Sequence, residues 1–130
     1  MTAERKKVLL VEDDEFTRFM MREIIGTLGV DVTLAKDGTE GCETLCEDPE
    51  GYGLVLMDLH MPGMSGIDAT DRIRGLDTDP PSNVPIIAVT ADVSYHDDAR
   101  VAQLGMDGFA TKPVSPGHLL QLIDRYCTAA

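Results

Sequence analysis

Five short apolar runs punctuate this chain, and each is too short to be a helix and too apolar to lie on a surface. They are Lys7–Val11, Val30–Ala35, Leu54–Met57, Ile86–Val89 and Gly108–Ala110. A run such as Leu54-Val55-Leu56-Met57, apolar at every position, reads as a strand buried on both faces. Between the runs lie stretches with helical signals, about Glu15–Leu28, Thr39–Cys46, Ser65–Arg74, Ser94–Leu104 and Pro116–Tyr126. Strictly alternating strand and helix signals predict an α/β fold with a parallel sheet. Right-handed crossovers leave few strand orders for five such units. The flavodoxin-like doubly wound order 2-1-3-4-5 puts strands one and three side by side at the topological switch point.

Local chemistry marks the ends of these elements. Ser65 fits an N-cap with Asp68 at the capping-box position. Ser115 followed by Pro116 fits an N-cap with proline at the first helical position. Gly29 and Gly105 are helix stops. Phe16, Met20, Ile24 and Leu28, spaced by four, are expected to form the buried stripe of the first helix. Asp77–Pro85 holds three prolines and is expected to be an exposed connection. Cys42 and Cys46, four apart on one helix with no adjacent histidine, are expected to be core residues rather than metal ligands.

The chain has 130 residues, which predicts one domain spanning 1–130 with a core of about 6–127. Its net charge of −12 repels a phosphate backbone and argues against direct nucleic-acid binding. No apolar stretch approaches the roughly 20 residues needed to span a bilayer, so no membrane insertion is expected. Without a secretory pattern, and with three cysteines, an odd number, a cytoplasmic location is expected and a disulfide framework is not.

Most of the acids are solubilising, but those at strand ends are not. Asp58 closes the third strand, and His60-Met61-Pro62-Gly63 then turns the chain out of the sheet. A carboxylate buried there is too costly to be filler. The first strand runs directly into Glu12-Asp13-Asp14-Glu15, at the same rim. Such a cluster repels itself unless a cation sits among the acids, and a hard divalent ion with oxygen ligands, Mg²⁺, fits. Thr90 and Lys112 reach this rim from strands four and five. Together these residues suit phosphoryl transfer: Asp58 as nucleophile, Asp13 and Glu12 for Mg²⁺, Lys112 as point charge, Thr90 as hydroxyl donor.

Taken singly, each residue has an ordinary explanation. The acidic run is as readily a helix start favoured by the dipole, and Asp14 is expected to be just that. Lys112 alone reads as a surface charge, Phe109 as core, His60 as a loop histidine, and His96 and His118 as surface residues. Co-location at one rim is what outweighs these readings.

The chain resembles the receiver domain of two-component response regulators over nearly its whole length. The matching stretches are VLLVEDD, LVLMDLHMPGMSG, PIIAVTA and GFATKP, in order and at compatible spacing. The resemblance implies that Asp58 takes a phosphoryl group from a phosphohistidine of a sensor histidine kinase or phosphotransfer protein. It implies Mg²⁺ ligation by Asp13, Asp58 and the backbone carbonyl of His60, with Glu12 acting through water. It further implies a cis Lys112–Pro113 peptide, a switch through Thr90 and Phe109, and a downstream protein or second copy bound by the helix 4–strand 5–helix 5 face. His60 and Asp92, two residues after Asp58 and Thr90, stand where the family tunes phosphoryl lifetime. Asp92 is expected to assist hydrolysis.

Two other functions compete with this signalling role, which is not that of a turnover enzyme. A Mg²⁺-dependent phosphohydrolase of the haloacid dehalogenase type needs a second Asp where His60 stands. A flavodoxin-type electron carrier needs a glycine- and hydroxyl-rich phosphate loop where Glu12-Asp13-Asp14 would repel the anion. Both a stand-alone regulator and a receiver cut from a hybrid kinase or a longer regulator remain compatible with these residues.

Overall fold

The computed structural model describes residues 6–127. Five strands, β1 (Lys7–Val11), β2 (Val32–Ala35), β3 (Tyr52–Asp58), β4 (Ile86–Thr90) and β5 (Gly108–Thr111), make one sheet in the order β2-β1-β3-β4-β5. Every pairing is parallel. The helices are α1 (Glu15–Thr27), α2 (Gly38–Glu47), α3 (Gly66–Arg74), α4 (Asp98–Gln103) and α5 (Pro116–Tyr126), with a 3₁₀ turn at Val93–Tyr95. Alternation along the strands sorts the core into two layers. Leu9, Val11, Val55 and Met57 face α2 and α3, with Cys42, Leu45, Ala69 and Ile73. Val8, Leu10, Leu54 and Leu56 face α1 and α5, with Met21, Ile25, Leu119 and Ile123. Each fully buried side chain of this kind contributes about 1.5–3 kcal/mol.

The caps form as the sequence predicts. Ser65 Oγ accepts from Asp68 N at 3.1 Å, and Ser115 Oγ accepts from His118 N at 3.1 Å with Pro116 opening α5. Gly29 and Gly105 take positive φ at the ends of α1 and α4.

Several expectations are corrected. The buried face of α1 is Met21 and Ile25, whereas Phe16 is 72%, Phe19 54% and Met20 44% exposed. At 3.6 residues per turn a spacing of four drifts by about 40° per step. The stripe Phe16–Met20–Ile24–Leu28 therefore rotates off the core at its first half, leaving Ile24 and Leu28 partly packed. The same drift leaves Cys46 exposed while Cys42 is buried. One helix over Ser94–Leu104 is replaced by two starts. Asp92 caps the 3₁₀ turn through Ser94 N, and Asp97 accepts from Ala99 N at 2.9 Å and restarts the chain as α4. The connection before β4 is not wholly exposed, because Pro81 and Val84 are buried within it.

Arg74 holds that connection in place. Its Nε donates to the Gly105 carbonyl at 2.7 Å, and Nη1 donates to Ser82 O at 2.8 Å and Val84 O at 2.7 Å. Nη2 reaches Asp107 Oδ2 at 3.1 Å, and the same oxygen accepts from Ile86 N at 2.8 Å. One guanidinium thus joins the end of α3, the connection, the α4 terminus and the first residue of β4. Arg74→Met keeps the apolar stem but leaves these acceptors without their donor, and is expected to cost about 2–4 kcal/mol in urea unfolding. A loss below about 0.5 kcal/mol would contradict this role.

Candidate functional site

Register brings the acids together. Val11 pairs with Met57, so the next residues, Glu12 and Asp58, leave the sheet side by side. Beyond them the chain is held from several directions. Asp14 caps α1, its Oδ2 accepting from Thr17 N at 2.8 Å and Thr17 Oγ1 at 2.6 Å. Arg18 Nη1 donates to the carbonyls of Glu12 and Asp13 at 2.9 and 3.0 Å, which fixes the β1–α1 loop. After β3 the turn passes through Gly63 at φ +75, a conformation that costs a residue with a Cβ. Gly66 then packs against the Asp58 carbonyl so closely that any side chain there would collide with it.

Glu12 is 1% and Asp58 4% exposed, while Asp13 lies open at the rim. One carboxylate oxygen from each of Glu12, Asp13 and Asp58 falls within 4.8 Å of the others. A single ammonium faces the buried pair: Lys112 Nζ lies 2.8 Å from Glu12 Oε1 and 3.3 Å from Asp58 Oδ1. The Glu12 contact is an ion pair by distance, yet Oε1 has no donor at hydrogen-bonding geometry. Glu12 Oε2 accepts from Asp14 N at 3.2 Å, and Asp58 Oδ1 accepts from His60 N at 3.3 Å.

These surroundings set the ionisation. Burial, with the Glu12 carboxyl as a close neighbour, pushes Asp58 up to about 7 against the pull of Lys112. Burial draws the Lys112 ammonium down, but the Glu12 and Asp58 carboxylates outweigh it and hold it above the ordinary lysine value. Three carboxylates against one ammonium, with a buried oxygen lacking a donor, are the donor set of a hard divalent cation. Mg²⁺ fits this pocket.

Thr90 ends β4, one residue beyond the Asp58–Val89 pair, and its hydroxyl accepts from Asp92 N at 3.0 Å. Lys112 follows β5 with its N–H on the Thr90 carbonyl at 3.1 Å, and the Lys112–Pro113 peptide is cis. Across the rim, His60 Nε2 meets Asp92 Oδ2 at 3.3 Å, and Tyr95 sits edge-on to the His60 ring. Hydrogen bonds from Ser94, with His60 adding to them, hold the Asp92 carboxyl below its ordinary value. Phe109, on β5, is half-buried and stacked on His96.

The rim residues expected from the sequence therefore lie at strand ends and on the loops that follow them, at one end of the sheet. Three features are not legible in the sequence. Arg18 carries no motif signal, the spacing of Phe16 and Met20 hides the exposed apolar face they form with Phe19, and nothing marks His96 as lying in a break between two helical turns.

The family described as "Response regulator receiver domain" matches residues 8–124. The chain is 34% identical over 122 residues to the "Hybrid signal transduction histidine kinase I" of Dictyostelium discoideum, covering 92% of this chain but 7% of that protein. Among solved structures it is similar to the receiver domain of the sensor histidine kinase PA1611 of Pseudomonas aeruginosa, described with a magnesium ion in the active site cleft. That likeness has a TM-score of 0.81 and 31% identity, over 95% of this chain and 98% of that one. It is also similar to a chain of the co-crystal of the Saccharomyces cerevisiae histidine phosphotransfer protein Ypd1 with the receiver domain of Ssk1. There the TM-score is 0.78 and the identity 28%, over 97% and 92% of the two chains. The chain belongs to the receiver domain family of two-component signalling, and it carries the flavodoxin-like fold of that family. Among the described residues no helix is long and apolar enough to cross a membrane.

The raised Asp58 value carries a stability consequence. Its folded value of about 7 exceeds the 3.8 of an unperturbed aspartate, so the folded site holds a proton that the unfolded chain releases first. Asp58's contribution to the stability of the metal-free fold is then fully present below pH 4 and is lost as the pH rises to about 7, where the loss levels off. At roughly 1.4 kcal/mol per pH unit the full loss is up to about 4 kcal/mol. In chelator at pH 8, Asp58→Asn is expected to unfold at a higher temperature than wild type, with the gap closing at pH 4. Equal melting temperatures at pH 8 would show that Asp58 is not strained by its neighbours.

Proposed function

We propose that the chain is a phosphorylation-dependent switch of a two-component phosphorelay, with Asp58 as the acceptor. The observation that carries this reading is a single nucleophilic carboxylate, buried at a strand end between Glu12 and Lys112. A carboxylate oxygen of Asp58 attacks the phosphorus of a phosphohistidine. The P–O bond forms as the P–N bond breaks, and the imidazole keeps the electron pair and takes up a proton. Asp13, Asp58 and the His60 carbonyl would hold Mg²⁺, with Glu12 reaching it through water. When bound, Mg²⁺ supplies charge neutralisation for the phosphoryl oxygens. Lys112, already between the two buried acids, follows the phosphoryl oxygens as a point charge. Thr90 turns its hydroxyl from the Asp92 amide toward the new group, and Phe109 takes the vacated space. His60 and Asp92, bridged across the rim, govern how long the phosphoryl group survives. On this reading transfer to itself and slow self-hydrolysis are the only chemistry.

The phosphodonor is a sensor histidine kinase or a histidine phosphotransfer protein, as in the co-crystal of the similar yeast receiver. Its docking face is the exposed Phe16, Phe19 and Met20, where a groove lined by Phe16, Met20, Ile24, Pro113 and Val114 runs up to Lys112. The output is read by a downstream protein, or a second copy, on the face of α4, β5 and α5. The place of work is the cytoplasm, in a lone regulator or in one part of a longer protein.

The test is incubation with acetyl phosphate and Mg²⁺, borohydride trapping, and mass spectrometry. One modification at Asp58 is expected, lost on omitting Mg²⁺ and in Asp58→Asn, and retained in Lys112→Ala. Labelling of Asp58→Asn at the wild-type level would remove this reading.

A further inference from the structure

Phe109 and Thr90 are not in contact with solvent and core alone; a third side chain reaches both. His96 follows the 3₁₀ turn Val93–Tyr95, its N–H donating to the Val93 carbonyl at 3.1 Å. The turn is anchored by Asp92, whose Oδ1 accepts from Ser94 N at 3.0 Å and Ser94 Oγ at 2.7 Å. From this fixed position His96 Nε2 lies 3.0 Å from the Thr90 carbonyl oxygen. A carbonyl only accepts, so Nε2 carries the proton and donates, which settles the tautomer of the neutral ring. The ring itself lies on Phe109, centroids 5.2 Å apart and planes 9° from parallel. Both rings are half-buried, so the stack is partly screened from water.

We infer that His96 is a positioning residue that clamps Phe109 in its resting orientation and ties that orientation to strand β4 at Thr90. The inference rests on the reading of Thr90 and Phe109 as the switch pair, and it adds a member that this reading does not contain. The Thr90 carbonyl already accepts from Lys112 N at 3.1 Å, so His96 adds a second donor to the same oxygen. That oxygen belongs to the rigid sheet rather than to a loop. The imidazole is therefore held at one edge by β4 and presents its flat face to β5. For Phe109 to turn, its ring must slide off that face and give up the stacking contact. An offset aromatic contact of this kind biases a two-state equilibrium by roughly three- to tenfold. If the turned state is the minor one, removing the clamp raises its population by that factor and tightens any ligand that selects it equally. His96 thus sets how much of the switch is thrown before any phosphoryl group arrives.

Because the chain holds only three phenylalanines, Phe16, Phe19 and Phe109, labelling with 4-fluorophenylalanine gives three ¹⁹F signals that single replacements assign. The experiment compares wild type, His96→Ala, His96→Gln and His96→Phe in the full chain, without ligand and through a titration with beryllofluoride and Mg²⁺. In ligand-free His96→Ala and His96→Gln, the Phe109 signal should move toward its beryllofluoride-saturated position while Phe16 and Phe19 stay put, which also excludes unfolding. His96→Phe adds a fourth fluorophenylalanine signal, recognised by its absence from the other spectra; it keeps a ring for the stack but loses the donor to Thr90, and should shift Phe109 less than His96→Ala does. Beryllofluoride should bind His96→Ala about three- to tenfold more tightly. A Phe109 signal in His96→Ala identical to wild type would overturn the clamp, as would a His96→Phe shift as large as that of His96→Ala. A wild-type spectrum that does not respond to beryllofluoride would instead sink the phosphorylation reading, while the ligand-free comparison still decides on His96.

Discussion

Two carboxylates that cannot both be comfortably ionised, Glu12 and Asp58, share one lysine at the end of a buried sheet, and the rest of the structure is arranged around that fact. Charges a few ångströms apart interact by about 4 kcal/mol at an effective dielectric near 20, so neither acid would be kept there without use. Their adjacency follows from the β1–β3 register and would be lost if either strand slipped by one residue. Lys112 reaches them because β5 ends beside Thr90 and its backbone continues onto the Thr90 carbonyl. Gly66 lets α3 start directly against the Asp58 carbonyl. That local shortage of positive charge makes the site one that a cation would suit.

A chain of contacts runs from this rim along the loop after β4. The Thr90 hydroxyl holds the Asp92 amide, Asp92 pairs with His60 and anchors the turn that carries His96, and His96 lies on Phe109. On the opposite side of the cleft, α1 turns three large apolar side chains to solvent beside the groove that leads to Lys112. That groove and the buried acids thus meet at the same lysine.

The strand pattern was readable because residues such as Leu54–Met57 are apolar on both faces, and parallel sheets alone ask for that. The rim residues were readable because polar groups directly after such runs have only one place to go. Helix faces were less legible. In α1 a spacing of four mimicked a buried stripe, yet the true face, Met21 and Ile25, is set by which side α5 and the sheet occupy. The break at His96-Asp97 was hidden because Asp92 and Asp97 act as caps through their own side chains, and aspartate inside a helical stretch does not announce that. Arg74 gave no signal at all, since its acceptors are backbone carbonyls from the connection and from Gly105, remote in sequence.

Burial and Glu12 hold Asp58 near half-protonation at neutral pH, and a cation in the pocket should drive it to the carboxylate. Carbon-13 NMR of the Asp58 side-chain carboxyl, followed across pH with chelator and then with saturating Mg²⁺, tests it directly. The midpoint is expected near 7 in the metal-free chain, with a clear fall when Mg²⁺ is added. A midpoint close to 3.8, unmoved by Mg²⁺, would contradict it.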